Sequence, residues 1–186
     1  MRRLTFEDRA AWEEYHRAYL DGLAAAQARL RVRAVSVPRL ALDGSVESLA
    51  AVGDWLIDAV SRPGLLIEPF TSPAWWSPRA APQDEPVGDR EYVDPLTRAQ
   101  IQLIDEVQAY FAEVLETHPA ATWVIFRGRP NEDRRGLTML QLGSRKWPVS
   151  VVGCVFVPAV RYIDSGDLPT PGWLADLAYQ EFARRD

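Results

Sequence analysis

Cysteine is nearly absent from this sequence, and so is lysine. The single thiol, Cys154, excludes an internal disulfide and any metal site built from cysteine thiolates, and it suits a reducing compartment. Lys146 is the only lysine, so arginine carries almost all the positive charge. With the abundance of alanine, that points to a GC-rich bacterial coding sequence. No run of about 18 apolar residues occurs, which excludes a membrane-spanning helix by length. Arg2-Arg3 is followed by Thr5-Phe6-Glu7-Asp8-Arg9 rather than by an apolar stretch, which argues against export and for a cytoplasmic address. Basic charge is also short: the net charge is -5 at pH 7, unsuited to wrapping a nucleic-acid backbone.

The chemistry of known catalytic motifs is missing as well. There is no G-x-S-x-G elbow and no P-loop, and Gly143-Ser144-Arg145-Lys146 lacks the glycine spacing of a phosphate cradle. Glu13 and His16 form an E-x-x-H pair, half of a carboxylate di-iron motif. The only other histidine, His118, has Leu115 three residues before it, so the second half is absent and no metal is expected. Cys154 lies in the apolar run Val151-Val152-Gly153-Cys154-Val155, where a thiol is usually buried and inert. No cofactor and no catalytic residue is expected. The reading leans away from an enzyme and leaves the question open.

What is present is a globular composition: 186 residues, 47% apolar and 25% charged, enough for one domain spanning 1–186 with a substantial core. Trp12, Tyr15, Tyr19, Leu23, Ala26 and Leu30 recur at spacings of three and four and predict a long helix from a Thr5 cap to about Arg33. Ala34 to Leu42 and Leu65 to Phe70 read as extended segments, one or two early strands at most. Between them a second helix starts near Ser45 and ends at Pro63-Gly64. Asp94-Pro95 predicts the start of a third helix running to about Thr117. Three late strands follow, Thr122 to Arg127, Leu137 to Leu142 and Val149 to Val157, then a short helix over Pro158 to Ser165 and a last one opened by Thr170-Pro171. The expected fold class is α+β, with about four helices packed on one face of a small, mainly antiparallel sheet. Residues 71–95 hold five prolines and clustered acids and read as a long loop within the domain.

Two segments resemble a loose group of uncharacterised small bacterial domains. Leu42-Asp43-Gly44-Ser45-Val46-Glu47-Ser48-Leu49 matches the group's L-D-x-S-x-E-S-L helix start. Tyr110-Phe111-Ala112-Glu113-Val114-Leu115 matches its Y-x-G-E-V-[IL], with Ala112 in place of the glycine, and Trp123 stands where the group has a tryptophan opening a strand. Some members look like immunity or accessory proteins of toxin and secretion clusters. The resemblance implies no cofactor and no catalytic residue.

Candidate contacts therefore come from residue type and placement. Trp75-Trp76 can anchor a partner or fold back over the core, the latter being preferred. Glu113 flanks the apolar face of the third helix. With Trp123 and with Arg127 as an anion contact, it marks a possible ligand pocket. Arg127, Arg129, Arg134, Arg135, Arg145 and Lys146 gather in the connections of the late strands, which need not share one end of the sheet. The leading expectation is a non-enzymatic, immunity-like or accessory domain that binds another protein. A small-molecule binder or enzyme, with a pocket near Glu113, Trp123 and Arg127, is the alternative, and a structural subunit of a larger assembly is a third. Neither nucleic acid nor membrane is expected as a partner, and the oligomeric state is left open.

Overall fold

The computed structural model describes residues 9–62, 66–76, 96–128 and 134–184. The fold is α+β, and the described residues form five helices and one antiparallel β-hairpin. In chain order these are α1 (Arg9–Val35), α2 (Ser48–Val60), α3 (Arg98–Leu115), β1 (Ala121–Ile125), β2 (Thr138–Leu142), α4 (Val151–Ser165) and α5 (Trp173–Ala183).

Helix α3 lies at the centre, with 14 of its 18 residues buried, and α1, α2, α4 and α5 all pack on it. A helix enclosed on nearly every side must pair each polar group it carries, and this shapes the site described below. Its first turn is fixed by a capping box. Thr97 Oγ1 accepts from the Gln100 amide, and the Gln100 side chain accepts from the Thr97 amide. The start expected at Asp94-Pro95 lies outside the described residues, and the cap observed is Thr97. Helix α1 buries Trp12, Tyr15, Tyr19, Leu23, Ala26 and Leu30 along one stripe, and Arg33 continues that stripe. The Thr5 cap is outside the described residues.

The L-D-x-S-x-E-S-L segment forms the turn into α2. Asp43 Oδ1 accepts from the Ser45 amide at 2.9 Å and from its hydroxyl at 2.6 Å, and Ser45 Oγ in turn accepts from the Ser48 amide. Tyr110 of α3 closes the motif: its hydroxyl accepts from the Gly44 amide at 3.0 Å and shares a 2.6 Å hydrogen bond with Ser48. The two segments quoted for the resemblance thus meet at one hydroxyl. Helix α2 then approaches α5 so closely that a Cβ on Gly53 would lie 2.8 Å from Leu174 Cβ.

The late strand expected over Val149 to Val157 is instead helical. Only Val149 pairs, through an isolated bridge to Leu140. Ser150 Oγ accepts from the Gly153 amide and opens α4, which absorbs the expected short helix and continues through Pro158. The cause is periodicity: Val151, Val152, Val155 and Ala159 are the buried positions, a helical spacing concealed inside a continuous β-branched run. Burial of that face outweighs the modest helix penalty of valine. Among the described residues there are five helices, where about four were expected.

Neither early strand forms among the described residues. Ala34 and Val35 complete α1, and the chain then turns through Ser36, Val37 and Leu40. In the segment 66–70, the backbone of Ile67 is satisfied by a side chain. Gln102 accepts from its amide at 2.8 Å and donates to its carbonyl at 2.9 Å, as a neighbouring strand would. Of the loop expected over 71–95, only residues 71–76 lie within the described residues.

The sheet that remains is β1 paired with β2, from Ala121 opposite Leu142 to Ile125 opposite Thr138. A lone hairpin is marginal in water. This one is held by a small cluster of Trp12, Tyr15, Phe126, Leu137 and Met139 beneath α1. Gly136 closes that cluster with φ +82°, and a Cβ there would lie 2.6 Å from Trp12 Nε1. Gly136→Ala should therefore lower stability by about 3 kcal/mol, from left-handed strain and the clash together, read as a shifted urea midpoint with an unchanged slope.

Candidate functional site

Two polar constellations stand out: a buried seam between α1 and α3, and a basic, aromatic corner at the hairpin.

The seam begins with Arg33, which is 8% exposed and faces Glu106, which is fully buried. Its Nε donates to Glu106 Oε2 at 2.5 Å and a terminal nitrogen donates to Gln102 Oε1 at 2.7 Å. One turn earlier, Arg29 donates to Asp105 Oδ2 at 2.7 Å. Asp105 also accepts from Trp75 Nε1 at 2.7 Å, and Tyr19 donates to Gln108 at 2.7 Å. Burial pushes the Asp105 and Glu106 carboxyls above their ordinary range, while Arg29, Arg33 and the Trp75 indole pull them down. Burial also holds the Tyr19 hydroxyl well above its usual range, so it remains a donor. Arg29 Nε, buried without a hydrogen bond, lies 3.5 Å from Glu106 Oε1. The seam joins α1, α3 and the segment 66–76. It holds elements together rather than presenting groups to a substrate.

Trp75 belongs to this seam. It is 3% exposed, and its ring meets Trp76 and Phe156 edge-on with centroids 5.9 and 6.0 Å apart. Trp76 is half-buried against Phe156. Glu113 is ion-paired with Arg31 of α1 at 2.6 Å. Trp123 packs edge-on against Tyr19 at 5.5 Å and donates its indole N–H to Glu116. Arg127 is exposed and borders a cavity whose wall contains neither Glu113 nor Trp123. At 1.5 Å per residue, about 27 Å of α1 separates Glu13, which lines that cavity, from Arg31 at Glu113. Glu113 and Arg127, expected at one pocket, are therefore far apart, and Trp123 is absent from the wall that Arg127 borders. Arg129 lies outside the described residues.

The corner forms because the chain reverses after β2. Gly143 takes φ +62°, and the Leu140–Val149 bridge leads the return toward the hairpin loop. Trp147 then lies 6.0 Å from Phe126, ring to ring. The Arg134 guanidinium sits over both rings, at 5.6 Å from Phe126 and 6.0 Å from Trp147, and Lys146 Nζ sits 5.5 Å from the Trp147 ring. Arg135 stacks over Trp12 at 5.3 Å. The two strand connections that carry the arginines thus converge. Arg145 is the exception: it turns inward to Glu181, donating to the carbonyl at 2.9 Å and to the carboxylate at 2.7 Å.

The remaining candidates are occupied by structure. His16 Nδ1 bonds to the Thr138 hydroxyl at 3.0 Å, and burial lowers its pKa, favouring the neutral ring. Among the described residues no group of three His, Cys, Asp or Glu side chains is placed to hold a metal ion. No described helix is long and apolar enough to cross a membrane. Burial pushes the Cys154 thiol up to about 12. No protein-family model, curated protein or solved structure matches this chain.

The sequence reading passed over the seam, although a signal was present: Arg29 and Arg33 are spaced by four, and so are Gln102 and Glu106. Asp105→Asn, which keeps an acceptor for Trp75, should cost about 1–2 kcal/mol, whereas Asp105→Leu strands Arg29 and the indole and should cost about 3–5 kcal/mol. Because the folded pKa of Asp105 is raised, the folded state holds its proton more tightly. This contribution is complete below the ordinary value of 3.8 and is lost as pH rises through the higher folded value. The gap between wild type and Asp105→Asn should accordingly widen as pH is lowered from 7 to 4, measured by urea unfolding. Cys154, for its part, should react with an aromatic disulfide reagent at pH 8 more than about tenfold slower in the folded protein than in urea, followed by absorbance.

Proposed function

We propose that this chain is a non-enzymatic protein-binding domain and that its binding face is the corner around Trp147. The observation that carries this reading is the exposure of Trp147, at 49%, in the company of Phe126, Arg134 and Lys146. Tryptophan and arginine dominate the energetics of protein interfaces, and a ring already fixed by its neighbours loses little freedom on binding. The Trp75-Trp76 pair, considered for this role from the sequence, has one ring in the core.

The partner presents an apolar recess that admits the indole. A net charge of -5 on the chain as a whole disfavours an extended polyanion as the partner. The action is occlusion: the domain covers its partner's surface by shape and charge. This matches an accessory or immunity-like role of the kind the resemblance implies.

Capture from a lysate of the source cells tests the reading. The wild-type chain should retain a defined protein partner, and Trp147→Ala should reduce retention at least about tenfold, since truncating such an anchor costs 2 kcal/mol or more. Helix content and unfolding midpoint should be unchanged. Retention of nucleic acid in place of protein, or a partner held equally by Trp147→Ala, would overturn it.

A further inference from the structure

The two edges of the hairpin differ. On the β2 side, Leu140 donates its amide to Val149 at 2.9 Å and accepts from the Val149 amide at 2.8 Å. In an antiparallel pair each residue directs both backbone groups to one side, and successive residues alternate. Trp123 is opposite Leu140 in the register, so its own N–H and C=O point away from β2. Ile125, two residues on, does the same. Bonds at both ends of the ladder set the same parity: the Phe126 amide donates to the Leu137 carbonyl, and the Gly143 amide to that of Ala120. Four backbone groups therefore face outward along β1, and among the described residues none of them finds a hydrogen-bonding partner. Every residue of β1 is exposed or half-buried, whereas β2 is buried at all positions but one. Open edges are ordinarily guarded by a lysine, a proline or a bulge. Ala121-Thr122-Trp123-Val124-Ile125-Phe126 contains no charge, no proline and no glycine.

We infer that β1 is a self-association edge. The β1 strands of two copies pair antiparallel about a two-fold axis at Val124, which joins the hairpins into one four-stranded sheet in the order β2-β1-β1-β2. Two observations select a second copy of this chain as the occupant. First, the outward groups at Trp123 and Ile125 are symmetric about Val124. Trp123 of each copy then lies opposite Ile125 of the other, and all four outward groups of each chain are bonded. Second, the two ends of β1 differ in charge. The exposed Glu116 caps the C-terminus of α3, where the helix dipole is negative, and the chain enters β1 from there; the exposed Arg127 follows at the other end. The same register sets Arg127 of one copy opposite Ala121 of the other and diagonal to its Trp123, whose indole N–H is bonded to Glu116. The two Arg127 side chains are kept at opposite ends of the paired strands. Since β1 has only five residues, the contact is small and the dimer weak and concentration-dependent. Adding strands also stabilises a hairpin that is marginal as a pair. This edge is separate from Trp147 and from the partner reading above.

The test is sedimentation equilibrium of the full chain at concentrations up to about 1 mM, which should show a reversible monomer–dimer equilibrium. Val124→Lys and Val124→Glu each set like charges directly opposite one another across the axis. Each variant alone should associate at least about tenfold more weakly, with helix content unchanged by circular dichroism. An equimolar mixture of the two should restore the dimer, because the axis then brings lysine against glutamate. In the wild type, hydrogen exchange at the Trp123 and Ile125 amides should slow as concentration rises. Trp147→Ala should dimerise as the wild type does. A strict monomer, association indifferent to Val124→Lys, or a mixture that fails to restore the dimer would each overturn the inference. Protection of the Trp123 and Ile125 amides at every dilution would show that the chain covers its own edge, and would overturn it as well.

Discussion

The pairing of Arg33 with Glu106 is the constraint on which the rest of the structure depends. Glu106 is fully buried in the central helix, and an ionised carboxylate there is tolerable only with a cation at bonding distance. That requirement fixes the rotation of α1 against α3, because Arg33 lies on the same stripe as Leu30, Ala26 and Tyr19. With the rotation set, Arg29 reaches Asp105, Tyr19 reaches Gln108, and Gln102 is left aimed at Ile67. An apolar seam of similar volume would be no less stable on general grounds, but it would tolerate several rotations.

Both surface features follow from that orientation. With α1 in place, Trp12 and Tyr15 lie over the hairpin and complete its small core. The hairpin loop is thereby brought beside the first turn of α1, which places Arg9 and Glu13 near Arg127 and Arg135. The return of the chain after β2 adds Lys146 and Trp147 on the other flank. The basic corner and the arginine-lined cavity are two sides of one connection, divided by the adjacent residues Arg134 and Arg135. One side presents an exposed ring and the other a recess.

Much of the α-helical part was legible in the sequence because its signals are local. The stripe from Trp12 to Leu30 is buried as its spacing predicts. The β part was less legible. In Val151 to Val157 apolar residues occupy both possible periods, and only the tertiary choice of the Val151, Val152, Val155 and Ala159 face decides for helix. Leu65 to Phe70 carried strand-like composition, yet the hydrogen bonds of Ile67 go to a glutamine 35 residues away, a long-range event that no local pattern records. The site residues divide in the same way. Arg127 was singled out for its charge, but its neighbours, Arg9 and Arg135, are assembled by the fold. Trp147 was passed over because its exposure depends on the path of a loop.

The clamp of Gln102 on Ile67 has an evolutionary consequence. Most core positions can drift one methyl group at a time, since each neighbour adjusts slightly. Here the amide of Gln102 serves two masters, the backbone of Ile67 and the guanidinium of Arg33. A substitution at any one of these positions leaves a buried donor or acceptor stranded, so acceptable change requires near-simultaneous steps at two or three sites. In relatives of this chain, Arg33, Gln102 and Glu106 should therefore appear together or be replaced together, as an inherited block that marks descent more faithfully than the residues of either exposed surface.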